Sequence, residues 1–218
     1  MRRRTDELEV ALRENEKITR ALRESENQIR NFAFYDPLTQ LANRRLLSDR
    51  LGQAMTASKR TGHYGAVIFL DLDNFKPLND THGHEVGDLL LLEVAHRLTR
   101  CVREMDTVAR FGGDEFVVLL GNLDIDKDRS VTQAGMVAEK IRATLAEPYF
   151  LTRKRGDNTE APVEHHCTSS IGVVLFINHE ASPEDILKWA DMAMYQAKDG
   201  GRNRVIFFRT PSDSPPTT

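Results

Sequence analysis

The chain has 218 residues, 40% hydrophobic and 29% charged, enough for one well-buried domain with appendages and thin for two. A net charge of -3 excludes a protein that coats nucleic acid, since such binding draws on an excess of Lys and Arg to displace counterions. No run approaches the roughly eighteen apolar residues of a membrane span, and Cys101 and Cys167 have neither metal-ligand spacing nor the density of a disulfide scaffold. A cytoplasmic protein with two buried thiols and no direct membrane insertion is expected.

Residues 1–35 contain no Gly or Pro and read as one long helix. Its seam runs through Leu8, Ala11, Asn15, Ile18, Leu22, Ser25, Ile29 and Phe32, alternating four and three as a two-stranded coiled coil requires. The other positions are heavily charged, so the helix is expected to pair with a second copy of itself. A lone solvated helix, or one folded back on the domain, is the alternative. Asp36-Pro37-Leu38-Thr39 then breaks the helix, because the residue before a proline is pushed out of the α region. It marks a hinge and the start of a main domain over 36–208.

From Asn43 the pattern Leu46, Leu47, Leu51, Ala54, Met55 is helical, and Gly62 ends it. Gly65–Leu70 is a wholly apolar strand of the kind buried in a sheet. It runs into Asp71-Leu72-Asp73-Asn74-Phe75-Lys76, where alternation puts Asp71 and Asp73 on one face. Carboxylates at the end of an apolar strand suit a metal site, although solvation alone would explain one of them. His82 and His84 lack a third nitrogen ligand and read as loop and capping groups. A helix opens at Gly87-Asp88 and ends near Arg103.

Two strands, Thr107–Phe111 and Phe116–Leu120, flank the turn Gly112-Gly113-Asp114-Glu115. Alone, that turn is either a solvated acidic hairpin or a place where a phosphate or metal approaches the backbone, because glycine leaves room there. A helix follows around Ala134–Leu145, then a strand at Tyr149–Leu151, a charged hairpin tip at Gly156-Asp157-Asn158 and a strand from Cys167 to Phe176. Ser182-Pro183-Glu184-Asp185 starts a helix with proline at its first position and a capping-box acid. That helix ends at Lys198, Val205–Phe208 is a last strand, and 209–218 is expected to be a disordered tail.

The order of elements predicts an α+β domain with a split βαβ, ferredoxin-like core, an antiparallel-containing sheet and surrounding helices. That topology lays the first strand beside the glycine hairpin and brings Asp71 near Asp114. Two carboxylates with water and phosphate oxygens make a hard oxygen site, suited to Mg2+ and not distinguishable from one for Mn2+.

Five blocks in order resemble the GGDEF-domain diguanylate cyclases. They are Asp36-Pro37-Leu38-Thr39 with Asn43-Arg44-Arg45; Asp71 through Asp88; Arg110 through Phe116; Ser170-Ile171-Gly172-Val173; and Tyr195 through Asn203. The resemblance implies a nucleotide-cyclase-like fold that condenses two GTP into cyclic di-GMP and two pyrophosphates, with two divalent ions per active site. It implies that Asp71, Asp114, Glu115 and the Leu72 carbonyl hold metal, and that Glu115, Asp114 and Lys76 serve catalysis. Gly112, Gly113, Phe75, Lys198 and Arg202 fall at its phosphate-binding positions, with Lys76 also near the phosphates. Asn79 and Asp88 fall at its guanine positions, and a carboxylate accepting from both N1–H and the 2-amino group selects guanine over adenine. Arg103 and Asp106, with Lys140 in place of the usual arginine, match its product-inhibition site.

Because the reaction joins two nucleotides, the resemblance also implies a two-fold dimer, for which the helical seam of residues 1–35 supplies a means, and an upstream sensor as a possible partner. The alternatives are a catalytically silent GTP or cyclic di-GMP receptor on the same fold, and a coiled-coil interaction protein.

Overall fold

The computed structural model describes residues 15, 17–20, 22, 32–152, 154–155, 158–159, 162–178 and 181–208. A five-stranded sheet forms its centre, in the order β2 (Thr107–Gly112), β3 (Glu115–Leu120), β1 (Gly65–Leu72), β8 (Ser169–Phe176) and β9 (Arg204–Phe207). Only the β8–β9 pair is parallel; β1 runs antiparallel to both its neighbours.

Every residue of β1 is buried, because its two faces feed two separate cores. Ala66, Ile68, Leu70 and Leu72 pack with residues of α3 (His84–Cys101) and α4 (Lys127–Leu145). Val67 and Phe69 pack with residues of α1 (Arg44–Thr61) and α5 (Pro183–Asp199). An unbroken apolar strand is what a sheet covered on both sides demands. Both cysteines are buried and free.

The helix ends follow their capping chemistry. Asn43 accepts from the Leu46 N–H at the start of α1, and Gly62 closes that helix at φ 75°. Ser182 and Asp185 form a reciprocal capping box on α5. At α4 the Asp126 side chain accepts from the Arg129 N–H, so the helix begins at Lys127, ahead of the apolar pattern that starts at Ala134. A short helix that the sequence pattern does not suggest, α2 (Phe75–His82), carries Pro77 in its first turn, where the missing N–H costs nothing. Gly83, at φ 82°, turns α2 directly into α3. Outside the main sheet, β4 (Tyr149–Leu151) pairs with β7 (Val163–His165), and β5 (Lys154–Arg155) with β6 (Asn158–Thr159).

Asn15, Ile18, Leu22 and Phe32 are helical, and Ile18, Leu22 and Phe32 are 67%, 58% and 73% exposed. The other seam positions Leu8, Ala11, Ser25 and Ile29, the hairpin tip Gly156-Asp157 and the tail 209–218 lie outside the described residues. Among the described residues no helix is long and apolar enough to cross a membrane.

At one point α5 touches the sheet backbone to backbone: a Cβ on Gly172 would run into the Ala190 carbonyl oxygen and the Met194 nitrogen. Neither atom yields without moving the helix. Gly172→Ala is therefore expected to destabilise the domain by about 1–3 kcal/mol in urea denaturation, whereas Gly52→Ala, which meets nothing within 4 Å, is expected to be neutral or stabilising.

Candidate active site

Strand register builds the acidic centre. At the end of β1, Asp71 stands opposite Glu115 of β3 and opposite Ser170 of β8, and the Leu72 N–H donates to the Asp114 carbonyl at 3.3 Å. Three carboxylates are thereby gathered where the apolar strand meets the surface. Burial pushes the Asp71 carboxyl above its usual range; a hydrogen bond from Lys198 pulls against this, and the charges of Asp114 and Asp73 add to it. Glu115 is raised as well, by burial first and then by Asp71, Asp191 and Asp114, with Lys198 opposing. The Lys198 ammonium lies 2.8 Å from Asp71 Oδ2 and is the cation offsetting this crowd.

Asp73, which shares the strand's acidic face in the sequence reading, is buried and fully occupied. It accepts from Thr168 Oγ1 at 2.6 Å, from Ser170 Oγ at 2.8 Å and from the Asn203 N–H at 3.2 Å. Its role is to bind β8 and the turn after α5 to the end of β1. The hydroxyls of Thr168 and Ser170, at the start of an otherwise apolar strand, were the signal for this. Beside it, burial and then the charges of Asp73, Asp114 and Asp71 push the Cys167 thiol up to about 12, leaving it an inert packing group.

The glycine turn has open space on its outer side: a Cβ on Gly112 or on Gly113 would meet nothing within 4 Å. Gly113 sits at φ 52°, a conformation that glycine adopts without strain. Arg110 holds the turn from within, donating through Nε and Nη2 to the Gly113 carbonyl at 3.0 and 2.8 Å. Its Nη1 reaches Asp36 Oδ1 at 3.2 Å, and Asp36 also accepts from the Thr39 N–H and hydroxyl. The Asp36-Pro37 segment, expected to be a hinge, is thus anchored to the glycine turn. A cleft of about 800 Å³ lies alongside, lined by Tyr35, Pro37, Arg44, Arg45, Gly112 and Gly113 among others, but by neither Asp71 nor Glu115. The cleft flanks the glycine turn without including the carboxylates.

The remaining expected residues fall into two groups. Asn79 of α2 lies against Gly87 of α3, so close that a Cβ on Gly87 would collide with its Oδ1. That oxygen is buried and has no hydrogen-bond partner among the described residues. Asp88 follows Gly87 and is exposed, so the α2–α3 corner brings both guanine-position residues together. Lys76 is exposed on α2, Phe75 packs against the core, and Arg202 Nε stands 4.0 Å from Asp73 Oδ1. Arg103 and Asp106 close a separate turn, with the Arg103 N–H donating to Asp106 Oδ2 at 3.0 Å. Lys140 donates to the Cys101 carbonyl at 3.1 Å, beside that turn and on the neighbouring helix.

Among the described residues no three His, Cys, Asp or Glu side chains form a metal-holding group on their own. A divalent ion here would take one or two carboxylates and complete its shell with carbonyl, water and phosphate oxygens. That donor set fits Mg2+, which keeps waters and binds with a phosphorylated substrate.

The family "Diguanylate cyclase, GGDEF domain" matches residues 33–204. The chain belongs to the GGDEF diguanylate cyclase family. It is 40% identical over 190 residues to the bifunctional diguanylate cyclase/cyclic di-GMP phosphodiesterase MucR of Pseudomonas aeruginosa, covering 87% of this chain and 26% of that protein. It is 35% identical over 177 residues to the probable diguanylate cyclase DgcT of Escherichia coli, covering 81% of this chain and 36% of that one. The chain therefore spans about a quarter to a third of these two relatives. Among solved structures, the coiled coil and GGDEF domain of DgcB from Caulobacter crescentus, in complex with cyclic di-GMP, matches with a TM-score of 0.74 at 30% identity over 92% of this chain and 98% of that one. The mixed sheet with surrounding helices is the GGDEF fold.

The anchor on this GGDEF turn has a pH signature. Burial raises the Asp36 carboxyl, but hydrogen bonds from Thr39 and the charge of Arg110 outweigh it and leave the carboxyl below its usual range. A group lowered on folding stabilises fully above its unfolded pKa and loses that contribution as pH falls through its folded one. Asp36→Asn is expected to lower the melting temperature at pH 7, with the deficit shrinking as pH drops below about 4. A deficit that stays constant with pH would remove the charged pair from this account.

Proposed function

We propose that this chain is a diguanylate cyclase that joins two GTP molecules into cyclic di-GMP with release of two pyrophosphates. The observation that carries the reading is the end of β1, where Asp71 faces Glu115 across the strand pair, Asp114 adjoins them, and the space beside Gly112 and Gly113 is open. Asn79 and Asp88 bind guanine, Asp88 accepting from N1–H and the 2-amino group. Lys76, Phe75, Lys198, Arg202 and the glycine turn hold the phosphates; Lys198 is shared between them and Asp71. Bound at Asp71, Asp114, Glu115 and the Leu72 carbonyl, two Mg2+ or Mn2+ ions would neutralise charge on the phosphate oxygens.

The chemical step is in-line attack of a ribose 3'-oxygen on the α-phosphorus of the facing GTP, with pyrophosphate leaving. Glu115 either helps hold metal or accepts the 3'-hydroxyl proton, which passes from the attacking oxygen as the new P–O bond forms. Each protomer presents one nucleotide, so two sites face each other about a two-fold axis. Pairing through residues 1–35 raises the effective concentration of the two halves. Arg103, Asp106 and Lys140 form a product site that restrains the domains without competing for GTP. The second reading, a silent receptor for GTP or cyclic di-GMP, draws on the 36% identity over 203 residues to the cyclic di-GMP phosphodiesterase NbdA of Pseudomonas aeruginosa.

Incubation with GTP and Mg2+ is expected to give cyclic di-GMP at a rate per protomer that rises with protein concentration until dimers saturate. Asp114→Asn is expected to cut turnover at least about 100-fold without lowering the melting temperature. Wild-type protein that binds GTP but forms no product at any concentration selects the receptor reading. Arg103→Ala is expected to raise the product concentration for half-inhibition about tenfold, the loss of one forked charge-assisted contact; an unchanged value removes Arg103 from the product site.

A further inference from the structure

The turn after α5 holds an improbable backbone. Gly201, Arg202 and Asn203 are successive left-handed residues, at φ 111°, 64° and 45°. Glycine adopts that region freely and asparagine tolerates it, but arginine does so only when its surroundings impose it. From the protein side the Arg202 N–H donates to the Ala197 carbonyl at 3.0 Å, and the Asn203 N–H to Asp73 at 3.2 Å. Arg204 Nε donates to the Arg202 carbonyl at 3.2 Å, and one more side-chain bond reaches the turn from a neighbouring helix. Arg142 of α4 donates through Nη1 to Asn203 Oδ1 at 2.8 Å, while its Nε donates to Glu139 Oε2 at 2.7 Å. Among the described residues it is the side-chain hydrogen bond that joins α4 to this turn.

We propose that Arg142 is a positioning residue for the phosphate-binding turn. By fixing the Asn203 side chain it keeps the left-handed pair in place and so aims Arg202 at the β- and γ-phosphates. This inference rests on the cyclase reading for what Arg202 binds. Arginine suits the task because its two bonds leave from one rigid plane: Glu139 orients the guanidinium and Nη1 then reaches Asn203 in a fixed direction. A lysine has a single nitrogen and cannot hold both partners in that geometry. Arg142 lies one helical half-turn from Lys140, so the helix that carries part of the proposed product site also carries this tether.

The test compares a nucleotide that reaches Arg202 with one that does not. For Arg142→Met, kcat/KM for GTP is expected to fall about tenfold, while the inhibition constant of GMP, which lacks the β- and γ-phosphates, stays within about twofold. Arg142→Lys is expected to recover only part of the loss. Asn203→Gly, which removes the side chain but adopts the left-handed region freely, is expected to reproduce it, and the Arg142→Met/Asn203→Gly double variant to be no worse than the worse single one, because both remove the same bond. Equal weakening of GTP and GMP, an unchanged kcat/KM, or additive losses would each overturn the proposal.

Should Arg142→Met fail to fold, Asn203→Gly on the solvent side carries the same comparison. If wild type binds GTP without turning it over, the cyclase reading fails alone. The tether is then read from the thermal stabilisation given by GTP over GMP, which both variants are expected to lose and whose persistence overturns it.

Discussion

Like charges forced together by strand register are the constraint on which this domain depends. Cross-strand partners hold their Cβ atoms about 5 Å apart, so pairing Asp71 with Glu115 is not negotiable once the apolar residues of β1 and β3 have chosen their faces. A one-residue slip would separate the carboxylates, but it would also turn Ile68 and Leu70 away from one core and Val67 and Phe69 away from the other. Hydrophobic burial thus maintains an electrostatic arrangement that the carboxylates would not adopt by themselves. Lys198 relieves part of the repulsion, while burial first and the neighbouring carboxylates second keep the Asp71 and Glu115 carboxyls above their usual range. A site in that condition favours any arriving cation.

Around this centre the polar residues act as fasteners between elements distant in sequence. Asp73 collects β8 and the turn after α5, and Arg110 collects the glycine turn and the chain's entry at Asp36. Each uses a buried or half-buried charge satisfied by several donors or acceptors, the form in which such a group holds a geometry without a large desolvation cost. The Asp36 bond has a particular implication. The segment that enters the domain at Asp36 is tied to the glycine turn itself, through one arginine.

Much of this was legible in the amino-acid sequence, for definite reasons. β1 and β8 are built on the apolar runs Gly65–Leu70 and Ile171–Phe176, α1 and α5 carry explicit caps, and a Gly-Gly pair between two short strands specifies a hairpin. The pairing of Asp71 with the glycine hairpin followed from topology. What escaped was set by tertiary contact. α2 is short, polar and contains Pro77, so it has no apolar period to read. The early start of α4 depends on the single Asp126 cap. Asp73 looked equivalent to Asp71 because strand alternation places both on one face, and the hydroxyls of Thr168 and Ser170 that occupy Asp73 are what sets the two apart. Arg110 and Asp36 lie 74 positions apart, and neither residue alone announces the other.

Gly172 is at first sight a packing detail, the place where α5 rests directly on β8. Yet α5 also bears Lys198, one helical turn beyond Met194, and that lysine meets Asp71 at 2.8 Å. The absence of a methyl group on β8, two residues from the partner of Asp71, acts as a depth gauge for the helix, and through it sets how far the lysine reaches over the acidic floor. The tuning of charge in this domain is, at that position, a matter of carpentry.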